Sequence, residues 1–344
     1  MGTIDIFSIR HRLARRGGVA RALAAGLLIA TMLSGCMSSG LEDLANTVPP
    51  LSSKVKAEMA RKGMTPESPV LVRIFKQESE LEIWKRDKSG RYALFKTYPM
   101  CRWSGKLGPK TQTGDRQAPE GFYHVSASML NPKSQYYLSF NLGYPNRLES
   151  ALGYTGDALM VHGACSSSGC YAVTDQGIAE IYPVVQAALA GGQRQFQVQA
   201  LPFRMTAANM ARYRGSEHFA FWKTLKEGSD SFELVRQPPK VSVCSGRYMF
   251  NAEFDGGEPA DPLAACPARL NQTDPRLVAE VQKLDALSAG SQSALMYSYV
   301  DGGMHPSFRA LLEKQGAKAL AAKTSRTKYP ISRPDAALAD PYEN

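Results

Sequence analysis

Apolar and polar positions begin to alternate at residue 70. Val70-Leu71-Val72-Arg73-Ile74-Phe75-Lys76 and Glu80-Leu81-Glu82-Ile83-Trp84-Lys85 share a period of two. They predict paired strands with a turn at Gln77–Ser79. A second turn at Asp87-Lys88-Ser89-Gly90 leads into a third predicted strand over Tyr92–Tyr98. Three hairpin-linked strands favour a mostly antiparallel β domain. Turn formers then interrupt the pattern (Pro99, Gly105, Gly108, Pro109, Gly114, Pro119, Gly121), so residues 99–121 read as irregular before Phe122-Tyr123-His124-Val125 resumes a strand. Beyond residue 174 the period lengthens. Ile178, Ile181, Val185 and Leu189 fall on one helical face, with Thr174 or Asp175 as cap and Gly191-Gly192 as stop. Pro183 lies inside this run and predicts a kink or a split near Ile181. Gln195–Ala200 reads as a closing strand and Val241–Val243 as another. Helices are expected from Asp274-Pro275, with Leu277, Val281, Leu284 and Leu287 on one face, and over Ser307–Lys323. The fold class is α+β.

The two ends carry other patterns. Arg10, Arg12, Arg15, Arg16 and Arg21 precede an apolar run from Ala22 to Leu33, the layout of a secretory signal peptide. The run falls well short of the roughly 20 apolar residues that span a bilayer. It ends in Leu33-Ser34-Gly35-Cys36, which resembles the bacterial lipoprotein box, so Cys36 is the expected lipidation site and the new N-terminus. An ordinary cleavage site with a chance cysteine is the plainer reading. Met37 rather than Asp follows, which points to a periplasmic protein lipid-anchored at the outer membrane. Residues 37–68 hold Ser38-Ser39-Gly40, Pro49-Pro50 and a charged stretch from Lys54 to Lys62. They read as a tether with one short helix near Leu51–Lys62. The last twenty residues, with Pro330, Pro334 and Pro341, read as disordered.

Charge changes the picture little. The 344 residues carry a net +10; loss of residues 1–35 removes five arginines and one aspartate, leaving +6. The lysines and arginines are scattered rather than clustered, and a secreted chain meets no nucleic acid, which excludes that partner class. Six cysteines matter more in an oxidising compartment. With Cys36 lipidated and one thiol reserved for chemistry, four remain, and four allow three pairings. Cys244 and Cys266 flank a segment poor in apolar residues that holds Gly246, Gly256-Gly257, Pro259 and Pro262, so they are the expected bridge. Cys101 and Cys165 stay open.

The chemistry concentrates in Val161-His162-Gly163-Ala164-Cys165-Ser166-Ser167-Ser168-Gly169-Cys170-Tyr171-Ala172. An imidazole can take a thiol's proton, and the thiolate is the nucleophile. Gly163 and Gly169 allow close approach to the main chain, and amides near Gly169 and Cys170 could face an oxyanion. A helix starting shortly after Cys170 is expected to favour its thiolate. Three plainer readings compete. His162, Cys165 and Cys170 could hold a metal, although no fourth ligand stands near. Cys165 and Cys170 could pair, or the histidine could be inert beside structural cysteines.

The stretch resembles the active-site signature of the L,D-transpeptidase (YkuD-like) catalytic domain, a His-Gly followed by Ser-x-Gly-Cys. Its compact spacing, with Ser168 where most of the family has histidine, is similar to the YafK-type branch. Two further segments share the likeness. Asp115–Tyr123 resembles the family's Thr-Pro-x-Gly segment with Ala118 in place of Thr, and Tyr137–Asn146 resembles the branch's Tyr-Pro-Asn block. The resemblance implies a mostly antiparallel β-sandwich or barrel-like catalytic domain over 69–204. A helix follows the catalytic cysteine, a family-like helical extension spans 205–250, and 251–344 is an unassigned, partly helical C-terminal region. It implies Cys170 as nucleophile, His162 as base, and Gly163 and Gly169 as parts of the site. Ser168, Tyr144, Asn146 and Tyr171 become candidate substrate contacts. The expected partners are peptidoglycan stem peptides, the membrane through a lipid anchor, and a wall-linked lipoprotein if the reaction is hydrolytic as in an amidase of that branch. No cofactor and no metal is expected. A wall-binding lipoprotein without turnover is the reading from a different class.

Overall fold

The computed structural model describes residues 48–290, 301–326 and 329–334. The expected signal peptide, Cys36, the first part of the expected tether and the end of the tail lie outside the described residues. Helix α1 (Ser53–Arg61) fills the expected short helix, capped by the Ser52 hydroxyl accepting from the Val55 amide.

Strands β1 (Val70–Phe75), β2 (Glu80–Arg86), β3 (Tyr92–Trp103), β4 (Gly121–Ser126), β5 (Leu130–Ser134), β6 (Tyr137–Asn141), β7 (Met160–His162), β8 (Tyr171–Val173) and β9 (Gln195–Leu201) form one sheet in the order β4-β9-β1-β2-β3-β8-β7-β6-β5. The sheet is mostly antiparallel and barrel-like. Its parallel pairs are β1 with β9 and β7 with β8. Phe140 of β6 meets Phe196 of β9 edge to face, which brings the two halves of the sheet together.

β3 makes this possible. It does not stop at Tyr98, as its pattern predicts, but runs on to Trp103. Pro99 sits opposite Glu80, at the last pair with β2, where the ladder no longer needs its missing N–H. Beyond it, Met100–Trp103 pair with β8 instead, after a register shift between Met100 and Arg102. One strand therefore belongs to both halves.

Every residue of β1 is buried. Leu71, Arg73 and Phe75 face helix α5 (Phe219–Val235), where Leu71 joins Trp84, Tyr92 and Phe232. Arg73 donates to the Glu233 carboxylate and to Ser229 Oγ, and its guanidinium lies over the Phe75 and Phe232 rings. Alternation along β1 thus separates two covered faces rather than core from water. At its end, buried Lys76 donates to Gly108 O, Ala118 O and Glu120 Oε1, while Glu120 Oε2 accepts from Trp222 Nε1. This fully bonded ion pair pins the irregular 104–120 segment to the sheet.

Helix α2 (Arg147–Ala151) follows β6, and helix α3 (Asp175–Ala190) follows β8 with Thr174 as its cap. Pro183 does not split α3. Its lost hydrogen bond is offset by burial of Ile178, Ile181, Val184, Val185 and Ala188 on the packed face. Helix α4 (Ala207–Arg212) and α5 cover the sheet, and β10 (Val241–Cys244) pairs with β11 (Arg247–Phe250) in a separate hairpin. Helix α6 (Pro275–Gly290) packs against α4 and α5. Helix α7 (Pro306–Thr324) is two pieces joined at Gly316, whose φ of 76° breaks the helix. No helix among the described residues is long and apolar enough to cross a membrane.

Among the described residues, two disulfides brace the fold. Cys244–Cys266 closes the glycine- and proline-rich segment after β10, and Cys101–Cys165 joins β3 to the loop after β7. By chain entropy, closing a 64-residue separation stabilises on the order of 4 kcal/mol, and the shorter loop about 3 kcal/mol. Peptide mapping without reductant, on a chain starting at Pro49, is expected to recover both bridges and alkylate Cys170 alone. Cys101→Ser with Cys165→Ser should lower the melting temperature more than Cys244→Ser with Cys266→Ser.

Candidate active site

β7 ends at His162 and β8 begins at Tyr171, so the seven residues between His162 and Cys170 form a loop that leaves one strand and re-enters beside it. The parallel register pairs Val161 with Tyr171 and His162 with Ala172. Cys170 therefore lies beside Met160, on the face of the sheet that also carries His162. The Met160 amide donates to Cys170 Sγ at 3.4 Å, and Ala158 O lies 3.9 Å from the sulfur. Among the described residues Cys170 is the free cysteine.

Four contacts hold the loop. Cys165 is tied to Cys101 on β3. Asp175, first residue of α3, accepts from the Ala164 amide through Oδ1. Ser167 Oγ donates to Cys170 O, and the Gly169 amide donates to Ser104 Oγ at 2.6 Å. Because the Ser167 hydroxyl proton goes to Cys170 O, Ser104 must donate in its 2.7 Å bond to Ser167 Oγ. Both glycines are required by fit. A Cβ on Gly163 would stand 2.6 Å from Asp175 Oδ1, and Gly169 turns at a φ of 133° with Leu159 3.2 Å from where its Cβ would be.

His162 is buried, and its Nδ1 faces Gly163 O at 2.5 Å. That contact makes Nδ1 the protonated nitrogen and leaves the Nε2 lone pair free. Burial pulls the imidazole down to about 4, against the Gly163 carbonyl, which pulls it up. Burial pushes the Cys170 thiol up, while the Met160 N–H and the positive Lys110 pull it down. At neutral pH the resting pair is therefore thiol and neutral imidazole rather than thiolate and imidazolium. The three residues of β8 separate Cys170 from the start of α3, where the Asp175 carboxylate stands.

The other candidates divide. Ser168 is exposed, two residues before Cys170. Tyr171 is wholly buried and donates to Pro119 O. Tyr144 is buried, donating to Lys110 O. Asn146 caps α2, accepting from Leu148 and Glu149 amides, and its Nδ2 donates to Phe122 O and Tyr248 Oη. Tyr171, Tyr144 and Asn146 thus have their polar atoms bonded within the protein, shaping the walls rather than presenting them. The Gly169 amide is likewise held by Ser104 and does not face open space. The bridge to Cys101 removes Cys165 from any metal set and from pairing with Cys170. Lys110, Ser104 and Asp175 belong to this site and carry no local signature; only the fold brings them there.

Residues 69–199 match the L,D-transpeptidase catalytic domain (YkuD). The chain is 44% identical over 224 residues to YafK of Escherichia coli (strain K12), a protein that carries the family's name. That alignment spans 65% of this chain and 88% of the relative. The chain belongs to the L,D-transpeptidase family. Within it the compact His-Gly…Gly-Cys spacing places it in the YafK-type branch. Among solved structures, the helical cell shape determining protein Pgp2 from Campylobacter jejuni is 16% identical with a TM-score of 0.32, covering 55% of this chain and 79% of that one. Bd1075 of Bdellovibrio bacteriovorus is 16% identical with a TM-score of 0.29, covering 48% and 60%.

The resting protonation state of this family member has a direct test. The pH profile of Cys170 alkylation by iodoacetamide should have its midpoint above the ordinary thiol value of about 8.5. Lys110→Met, which removes the nearby positive charge, should move it further up. A plateau already reached at neutral pH would instead signal a thiolate–imidazolium pair.

Proposed function

We propose that this protein is a cysteine-dependent peptidoglycan L,D-transpeptidase that acts on cell-wall stem peptides through a thioester. The observation that carries this reading is the free Cys170 thiol, beside β7 on the face that carries His162, in a loop braced from four sides. Cys170 Sγ attacks an amide carbonyl as His162 Nε2 takes the thiol proton. The tetrahedral oxyanion forms near the Cys170 amide, because the Gly169 amide is bonded to Ser104. Collapse breaks the C–N bond, the imidazolium returns its proton to the leaving amine, and the thioester remains. An incoming amine, deprotonated by His162, completes the transfer. Water in its place gives hydrolysis, the outcome that releases a wall-linked lipoprotein. A neutral resting imidazole suits a base of this kind, since at pH 7 it is ready to accept the proton.

Cys170→Ser is expected to abolish turnover with the fold intact, because the hydroxyl is a far weaker nucleophile for this base. His162→Ala should lose about a hundred- to ten-thousandfold in turnover. Mass spectrometry of products from purified wall fragments separates cross-linked dimers, expected here, from cleaved stems. A carbapenem should add its mass to Cys170 in the wild type and not in Cys170→Ser. Wild-type protein that forms neither product nor adduct would leave the chain a wall-binding protein without turnover.

The Leu33-Ser34-Gly35-Cys36 box supports a lipid-anchored protein facing the periplasm from the outer membrane. Mature protein should carry an acyl mass at Cys36. Cys36→Ala should abolish it and release the protein from the membrane fraction.

A further inference from the structure

The match to the catalytic domain ends at residue 199, yet the C-terminal segment returns to the catalytic loop. Gly303 bridges to Trp103 at the end of β3. Arg102 holds the segment at two places, donating from Nε to Ser332 O at 3.0 Å and from Nη2 to Asp301 O at 2.7 Å. Arg333 closes the same group with an ion pair to Asp301 at 2.8 Å. Leu312 and Leu320 of α7, with Ile331, pack over Cys101 and Cys165. Beyond α7, the Arg326 amide donates to Asp175 Oδ2, and Asp175 Oδ1 holds Ala164. The Ser332 hydroxyl donates to Ser167 O at 2.8 Å and accepts from the Ser167 amide at 2.9 Å, so both polar groups of that loop residue end on one side chain.

One contact reaches the imidazole itself. Tyr136 lies in the β5–β6 turn, 37% exposed, with its ring 4.7 Å from that of His162. Tyr329 lies 4.9 Å from the Tyr136 ring, inclined by 40°. Three rings in series thus join the C-terminal segment to the candidate base. Backbone bracing alone would need the disulfide, Ser332 and Asp175; it does not need an aromatic side chain on Tyr136. A side chain in a surface turn has several rotamers open to it, and a second ring against it restricts the choice.

We propose that Tyr329 is a positioning residue for His162. It holds the Tyr136 ring against the imidazole and so keeps Nε2 in the orientation from which it takes the Cys170 proton. This rests on the reading of His162 as base, and it makes residues beyond 300 part of the active site.

The test uses the full mature chain and a probe independent of the natural substrate. Cys170 attacks p-nitrophenyl acetate, the acetyl group passes to sulfur, and p-nitrophenolate leaves in a burst. Tyr329→Leu keeps bulk without a ring and should slow the burst roughly three- to tenfold, the range of one aromatic pair. Tyr329→Phe should restore it. Tyr329→Leu placed on His162→Ala should add nothing, because the group it positions is gone. A Tyr329→Leu burst as fast as wild type, a Tyr329→Phe burst as slow as Tyr329→Leu, or an undiminished further loss on His162→Ala would each overturn the proposal. If His162→Ala itself leaves the burst unchanged, the base assignment fails and this proposal with it. If His162→Ala is slow and Tyr329→Leu is fast, only the positioning role fails. Should Tyr329→Leu melt early, Tyr136→Phe with Tyr329→Phe keeps both rings and is expected to match wild type; a slow burst there also overturns the proposal.

Discussion

The covalent bond between Cys101 and Cys165 is the constraint on which the site depends. It links β3, the strand shared by both halves of the sheet, to the loop between His162 and Cys170. Without such a tie, seven residues containing three serines and two glycines would have little apolar surface to hold one shape. With it, the remaining bonds from Ser104, Asp175 and Ser332 act on a loop whose path is already restricted. The bridge is also buried under α7, so its environment is apolar and its sulfurs are kept from solvent.

Burial sets the chemistry as firmly as geometry does. The same packing that fixes His162 lowers its proton affinity, and the same enclosure raises that of Cys170. Each group is therefore uncharged at rest, and in the proposed reaction charge appears only as the thiol gives up its proton. A low-dielectric site of this kind strengthens any interaction with developing charge, which is where the Met160 and Cys170 amides and Lys110 matter. Stabilisation offered to a transition state but not to the ground state is what accelerates a reaction.

The ion pair of Lys76 with Glu120 does for the outer wall what the disulfide does for the loop. It anchors Gly108 and Ala118, and through them the segment that supplies Ser104 and Lys110 to the site. Trp222 of α5 completes the bonding of Glu120, so the helical extension after the catalytic domain is coupled to the cleft. The C-terminal segment adds a further layer over the disulfide and the loop. Domain boundaries drawn along the chain thus do not coincide with the parts that build the site.

Much of this was legible in the residue pattern. Period-two runs located β1, β2 and most of β3; period 3.6 and Thr174 located α3. The local motif from Val161 to Ala172 marked the thiol, the imidazole and both glycines, because those residue types at that spacing carry chemical meaning without a fold. What pattern could not reach were interactions between residues far apart in sequence. The extension of β3 past Pro99 depends on a partner strand 70 residues away. The pairing of Cys101 with Cys165 rather than another cysteine depends on that same strand, and so does the presence of Ser104 at Gly169. The Tyr144 and Tyr171 hydroxyls and Asn146 Nδ2 look available to a substrate because they have no sequence-local partners; folding supplies partners from elsewhere. The prolines after residue 324 predict disorder, yet the Arg326 amide bonds to Asp175, Tyr329 lies against Tyr136 and Ser332 holds Ser167 of the loop. Composition reports what a segment can bury by itself, and here the surface it packs on belongs to residues 102–175. The sequence by itself determined which side chains are the candidate reacting groups, since chemistry is a property of side chains. Their protonation, orientation and bracing were decided only by the tertiary structure, since burial and long-range contact do not exist until the chain has closed on itself.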